Sequence, residues 1–230
     1  MMQRVIRGMQ RALGLHHPGR NLEVWPDDVF ILSFPKSGNT WTRFLIANLV
    51  YSETPADFSN INRLTPDPES LSKRELARMP RPRIIKSHQY FDPRYKRVIY
   101  VVRDPRDVAL SQFHFHRKRG LIEDGYPPEK FVARFAAGET SPYGSWGENV
   151  ASWSSTKSTR QDVPFVRSAQ AGGWRTGLPE GAVAQMETAW GNLMTHLGYE
   201  LLSPARAITV TRTTNFDSGF AETMLNGPSR

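Results

Sequence analysis

Apolar residues recur along the chain in two rhythms. "VFILSF" (29–34) is a short unbroken apolar run, and "TWTRFLIANLVYS" follows it almost at once, with Phe44, Leu45 and Leu49, joined by Trp41 and Asn48, at helical spacing. The first rhythm predicts a strand buried on both faces; the second predicts an amphipathic helix with Thr40 near its cap. The pair repeats at "RVIYVV" (97–102), a buried strand, "RDP", a turn, and a helix that tolerates Pro105 in its first turn. Between the two units a Pro-rich polar connection, "TPADFSNINRLTPDPES", leads through a short helix around 70–78 to a strand at "RIIKS" (83–87). Beyond 125 the pattern is helical, in "PEKFVARFAAG", in "GSWGENVASW" and in "PEGAVAQMETAWGNLMTHLGY". That last helix carries Val183, Met186, Trp190, Leu193 and Leu197 along one face and stops at Gly198.

Two strand–loop–helix units with a strand between them predict an α/β fold with a parallel sheet. At 230 residues the chain is expected to form one domain over 21–200. Residues 1–20 read as a basic amphipathic extension, with Val5, Ile6, Met9 and Leu13 on one side and Arg4, Arg7 and Arg11 around the other. This stretch lacks the apolar core of a secretory signal and reads as a docked or frayed terminal helix. From 201 to 230 the periodicity fades into a tail.

Composition narrows the chemistry. Cysteine is absent, which removes disulfides, thiol nucleophiles and thiolate metal sites, and fits a reducing, cytoplasmic location. A net charge of +8 points to an anionic partner. The basic residues are scattered with no basic–aromatic platform, so nucleic acid is not the expected partner. No window approaches the roughly 18 apolar residues of a membrane span. His114 and His116 lie two apart and cannot share a helix face, so no metal site is expected.

Ligands of parallel α/β sheets bind at the carboxyl ends of the strands, where the loops 35–40 and 103–107 both fall. In the first loop Lys36 supplies charge, Gly38 lets backbone approach an anion, and Ser37, Asn39 and Thr40 add donors. The lysine precedes a lone glycine, so the loop is not the G-x-x-x-x-G-K-[ST] pattern of nucleoside triphosphatases, and a kinase reading is disfavoured. In the second loop Arg103 can fork onto a phosphate, with Ser111 eight residues on. Taken alone, Lys36 fits an ordinary helix cap, and Arg103 fits a salt bridge to Asp104 or Asp107. "KSH" (86–88) places His88, a general-base candidate, after a strand.

Together these motifs resemble the cytosolic-type sulfotransferases that use 3′-phosphoadenylyl sulfate (PAPS), and the resemblance implies a P-loop-like, three-layer α/β fold with a central parallel sheet flanked by helices. "PKSGNTW" resembles that family's 5′-phosphosulfate loop, P-K-S-G-T-T-W, with Asn39 for the first threonine; "KSH" falls where the family has its lysine and catalytic histidine. "RDPRDVALS" is similar to the 3′-phosphate motif, "GSWGENVASW" to the segment after it, and "FVRSAQAGGW" to the late loop that closes over the cofactor. The resemblance implies PAPS as co-substrate, held by Lys36, Ser37, Gly38, Asn39, Thr40 and Trp41 at one end and by Arg103, Ser111 and Arg167 at the other. It implies that Lys36, Lys86 and His88 are catalytic, with no metal, and that the acceptor is a small alcohol, phenol or amine. A homodimer is compatible with this reading.

The chain departs from the family after Trp153, where an R-Y-E-D-like strand and an adenine-stacking tyrosine are usual. Here "SSTKSTRQDVP" leads directly to the late loop, in which Ser168, Ala169 and Gln170 replace the usual lysine, glycine and lysine. A missing sheet strand and internal shortening near 154–164 are therefore expected. The alternative function is a catalytically impaired nucleotide- or anion-binding paralogue on the same scaffold.

Overall fold

A computed structural model describes residues 22–154, 165–167 and 172–202, with the backbone alone for 165–167. The expected terminal helix (1–20), the tail beyond 202 and the shortened stretch at 155–164 lie outside the described residues.

Strands β1 (Val29–Ser33), β2 (Ile84–Ser87), β3 (Arg97–Val102) and β4 (Phe165–Arg167) form one parallel sheet in the order β2-β1-β3-β4. Val29 pairs with Ile84 on one side and Arg97 on the other, so β1 is central. Because side chains alternate along a strand, the faces divide cleanly. Ile31, Ile84 and Val101 pack beneath helix α1 (Asn39–Val50), whereas Phe30, Leu32, Ile85, Tyr100 and Val102 join the large core on the other face. That core is closed by α4 (Pro105–Lys118), α5 (Pro128–Ala136), α6 (Trp146–Ser154) and α8 (Glu180–His196). Helices thus cover both faces, as the pattern predicts. The short helices α2 (Ile61–Leu64), α3 (Lys73–Ala77) and α7 (Trp174–Gly177) complete the element order.

Two expectations need correction. The segment expected as a loop after the missing strand itself supplies β4, whose Val166 pairs with Val101 in parallel register. The outer edge of β3 would otherwise leave backbone donors and acceptors unpaired, and the β-prone "FVR" satisfies them. The second correction concerns α1, whose buried residues are Asn39, Arg43 and Ala47. Trp41, Leu45 and Leu49 face outward and are 76%, 67% and 81% exposed. Ala47 packs against Ile61 and Leu64 of α2, Ile46 packs against the sheet, and Arg43 is turned inward to the carbonyls of Ile61 and Thr65.

The turn at the start of α4 is held by a buried cation. Arg106, buried under the ring of Trp174 at 3.8 Å, forms ion pairs with Asp104 and Glu187, both at 2.7 Å, and donates to the Glu200 carbonyl at 2.9 Å. Asp104 also caps α4 by accepting from the Arg106 N–H. Asp107 accepts the backbone N–H groups of Gly172 and Trp174, at 3.0 and 3.2 Å, and so ties the late segment to the same turn. Removing one partner of a buried ion pair strands the other. Arg106→Ala is therefore expected to destabilise the fold by about 3–5 kcal/mol, measured as a shift in urea midpoint; a loss below about 1 kcal/mol would contradict this reading.

Candidate functional site

The C-terminal ends of β1, β2 and β3 deliver three polar loops to one rim of the sheet. After β1 the chain turns through Lys36, a non-glycine residue with φ 69°, and Gly38, with φ 100°. A left-handed conformation costs roughly 1–3 kcal/mol for a residue with a Cβ such as Lys36. The turn directs the free N–H groups that open α1 outward, with no side-chain cap on them. A helix of 12 residues adds its dipole there, favouring negative charge.

Arg103, directly after β3, donates from Nη1 to the Lys36 carbonyl at 3.2 Å, which joins the first loop to the second. It pairs with neither Asp104 nor Asp107; Arg106 takes the first and the late segment the second. Burial and the Arg103 charge lower the pKa of Lys36, whose ammonium lies 4.6 Å over the ring of Phe115. Among the described residues no carboxylate pairs with Lys36 or Arg103. Ser37 Oγ and Arg103 Nε are buried without a hydrogen-bond partner among the described residues. Leaving such groups unsatisfied costs about 1–3 kcal/mol each, so two cations and two orphan donors at one junction fit an anionic ligand.

The other expected contacts divide. Asn39 turns its side chain back to β1, donating to the Ile31 carbonyl at 3.0 Å and to Ser33 Oγ at 3.2 Å, which leaves its backbone N–H at the loop. Thr40 is exposed at the helix start, Trp41 stands exposed one residue on, and Ser111 is half-buried two turns into α4. Arg167 ends β4, and its side chain, like residues 168–171 of the late loop, lies outside what is described.

His88 follows β2. Its Nδ1–H donates to the Ser33 carbonyl at 2.6 Å, which fixes the tautomer and leaves Nε2 as the lone-pair nitrogen. Burial, then the Lys86 charge, push its pKa down to about 4, so the imidazole is neutral near pH 7. Its ring meets that of Tyr143 at 5.3 Å, edge to face. Lys86 pairs with Asp67 at 2.6 Å. His88, Tyr143, Lys86 and Asp67 line one small cleft together with Gln89 and Tyr95.

Helix α6 holds the loops still. Trp146 Nε1 donates to the Arg103 carbonyl (3.2 Å), Asn149 Nδ2 to the His88 carbonyl (3.1 Å) and Trp153 Nε1 to the Gln89 carbonyl (3.0 Å). Asn149 Oδ1 accepts from the Tyr100 hydroxyl at 2.9 Å, so the bracket is anchored to the sheet. Gly147 is required for this seating, since a Cβ would stand 2.3 Å from Trp190 Nε1. The spacing of the polar-edged residues 146, 149 and 153, at i, i+3 and i+7, is the signal in the sequence that marks them as one face. Asp67, by contrast, sits in the Pro-rich connection, where no periodicity singles it out.

A parallel sheet whose first strand turns through a lysine and a glycine into an uncapped helix defines the class of P-loop-like α/β proteins. The chain belongs to the sulfotransferase domain family, whose model matches residues 26–167. It is 33% identical to Sulfotransferase 1A1 of Bos taurus over 168 residues, 65% of this chain and 54% of that protein. To Sulfotransferase 2B1 of Mus musculus it is 31% identical over 164 residues, 64% of this chain and 48% of that one. The chain thus spans about half the length of these curated relatives. A solved Arabidopsis thaliana structure, of a protein proposed to be a steroid sulphotransferase, shares the fold with a TM-score of 0.60 at 19% identity, over 79% of this chain and 81% of that one.

The histidine carries a pH signature. Its folded pKa of about 4 lies below the 6.5 of a free imidazole, so the unfolded chain binds more protons between those values. The contribution is fully present above pH 6.5 and is lost as pH falls towards 4. Unfolding free energy should drop across that window in the parent protein, and less so in His88→Gln; parallel pH curves for the two would contradict the buried, neutral imidazole.

Proposed function

We propose that the chain is a PAPS-dependent sulfotransferase that transfers the sulfuryl group to a hydroxyl or amine of a small acceptor. The observation that carries this reading is the junction at Lys36 and Arg103, where two unpaired cations and two buried unsatisfied donors converge on the opening of α1. A ligand with phosphates at two ends suits it better than a single anion, because the two loops approach that junction from different strands.

When bound, PAPS supplies an activated sulfuryl group on a phosphate leaving group. Lys36, the Ser37 hydroxyl and the N–H groups of Gly38 to Thr40 serve the 5′ end, where negative charge grows on the leaving oxygen. Arg103 and Ser111, joined by Arg167, serve the 3′-phosphate, and Trp41 offers an exposed ring for the adenine. His88 Nε2 takes the acceptor proton, and Lys86 stabilises the transferring group. As in phosphoryl transfer, positioning and fixed cations do most of the catalysis, and a general base contributes about 10²–10⁴ in rate. A depressed pKa keeps the base unprotonated through the neutral range, though it weakens its basicity.

The second reading, a paralogue that binds the nucleotide without turnover, is motivated by the altered late loop, where Ser168, Ala169 and Gln170 replace the usual lysine, glycine and lysine. Calorimetric titration with 3′-phosphoadenosine 5′-phosphate, against ADP as control, tests the shared element. The 3′-phosphorylated nucleotide should bind at least about tenfold tighter, and Arg103→Ala should remove most of that preference. Equal affinities would overturn the assignment of the second loop. Lys36→Ala should abolish transfer, and His88→Ala should lower kcat by about 10²-fold or more with nucleotide affinity retained. Nucleotide binding in a parent protein that transfers to no alcohol, phenol or amine would favour the second reading.

A further inference from the structure

Asp67 belongs to none of the motifs, yet it is fastened to the site from three directions. Arg43, buried on the inward side of α1, donates from Nε to the Thr65 carbonyl and hydroxyl at 3.1 and 3.2 Å, and from Nη2 to Asn62 Oδ1 at 2.8 Å. Its Nη2 also reaches the Thr65 carbonyl. Those bonds pin the segment 62–65 to the helix that begins at the anion loop. One residue on, the Pro66 carbonyl accepts the Lys86 N–H at 2.9 Å, laying the connection along the edge of β2. Asp67 then meets Lys86 Nζ with one carboxylate oxygen at 2.6 Å, while the other accepts the Glu69 N–H at 3.0 Å. Both side chains are largely shielded, at 18% and 14% exposure. An exposed pair of this kind contributes little, chiefly because two long side chains must be ordered; here the backbone on both sides is already fixed.

We propose that Asp67 is a positioning residue for sulfuryl transfer, holding the Lys86 ammonium beside His88 so that the cation is in place before charge develops on the transferring group. This inference rests on the transferase reading above. A lysine is a point charge on a flexible four-carbon stem, and a misplacement of about 1 Å can lower a rate by about 10²-fold. The pair also sets the field at the imidazole. Lys86 and Arg43 disfavour protonation of His88, whereas Asp67 and the Ser33 carbonyl favour it; Glu69, Tyr95 and Tyr143 line the same cleft. Neutralising Asp67 leaves the Lys86 charge unopposed, so His88 titrates at lower pH still.

The test compares the parent protein with Asp67→Asn and Asp67→Glu by steady-state kinetics with PAPS, by thermal unfolding, and by NMR titration of the His88 ring in protein free of nucleotide. In Asp67→Asn, kcat should fall about 10- to 100-fold, with the KM for PAPS changed by less than about threefold. The His88 midpoint should move below its parent value, and Asp67→Glu should recover most of both. A kcat within about twofold of the parent with an unmoved His88 midpoint overturns the inference. So does a rate loss that glutamate fails to recover and that tracks a lowered unfolding temperature, which marks a merely structural pair. If the parent protein binds no 3′-phosphoadenosine 5′-phosphate and transfers nothing, the transferase reading itself fails and takes the positioning role with it. Nucleotide binding and turnover with an indifferent Asp67→Asn sinks the Asp67 inference alone.

Discussion

Three side-chain donors on one face of α6 set the geometry on which the site depends. Loops at the ends of parallel strands have spent their ladder hydrogen bonds, and their carbonyls need partners from elsewhere. Trp146, Asn149 and Trp153 provide them to Arg103, His88 and Gln89, while the indole and amide bodies fill the core against Tyr100 and Trp190. Packing and hydrogen bonding are thus carried by the same residues. The loop bearing Arg103 and the loop bearing His88 share one support, so neither shifts without disturbing the hydrophobic core behind it.

The charges on this frame fall into two groups. Arg83 with Asp28, and Arg106 with Asp104 and Glu187, are buried and answered within the protein. Lys36 and Arg103 are brought together without a carboxylate among the described residues, and burial and the Arg103 charge lower the pKa of Lys36. Holding like charges close in a half-buried setting is unfavourable for the free protein, and the backbone strain at Lys36 adds to it. An arrangement that opposes folding at the place where four elements converge is intelligible as preorganisation for an anion. Lys86 is intermediate: a cation at the site, already balanced by Asp67.

The sheet was legible because its buried strands are unbroken apolar runs, "VFILS" and "RVIYVV", and because polar loops follow both at once. The face of α1 was not, because helical periodicity identifies a stripe without saying which side of the helix a sheet will claim. The stripe at Trp41, Leu45 and Leu49 lies outward, and the inward positions went to Ala47 and to an arginine whose partners are backbone carbonyls 18 to 22 residues away. β4 escaped for a related reason: three residues carry too little pattern to outweigh the sequence around them, and the open edge of β3 decides the matter. At the site, Lys36, His88 and Arg103 stand in recognisable motifs. Asp67 gains its place only through the fold of the connection that carries it.

The central position of β1 has a kinetic consequence. Its N–H and C=O groups are paired on both sides, with β2 and with β3, whereas β2 and β4 are each paired by a strand on one side alone among the described residues. In native-state hydrogen exchange such a strand opens only near the full unfolding free energy, while edge strands open through smaller fluctuations. The turn through Lys36 and Gly38 springs from that slowest-opening strand. The loop through Lys36 and Gly38 is therefore clamped at its root on the timescale of global unfolding, so breathing of the sheet edges leaves its starting geometry intact.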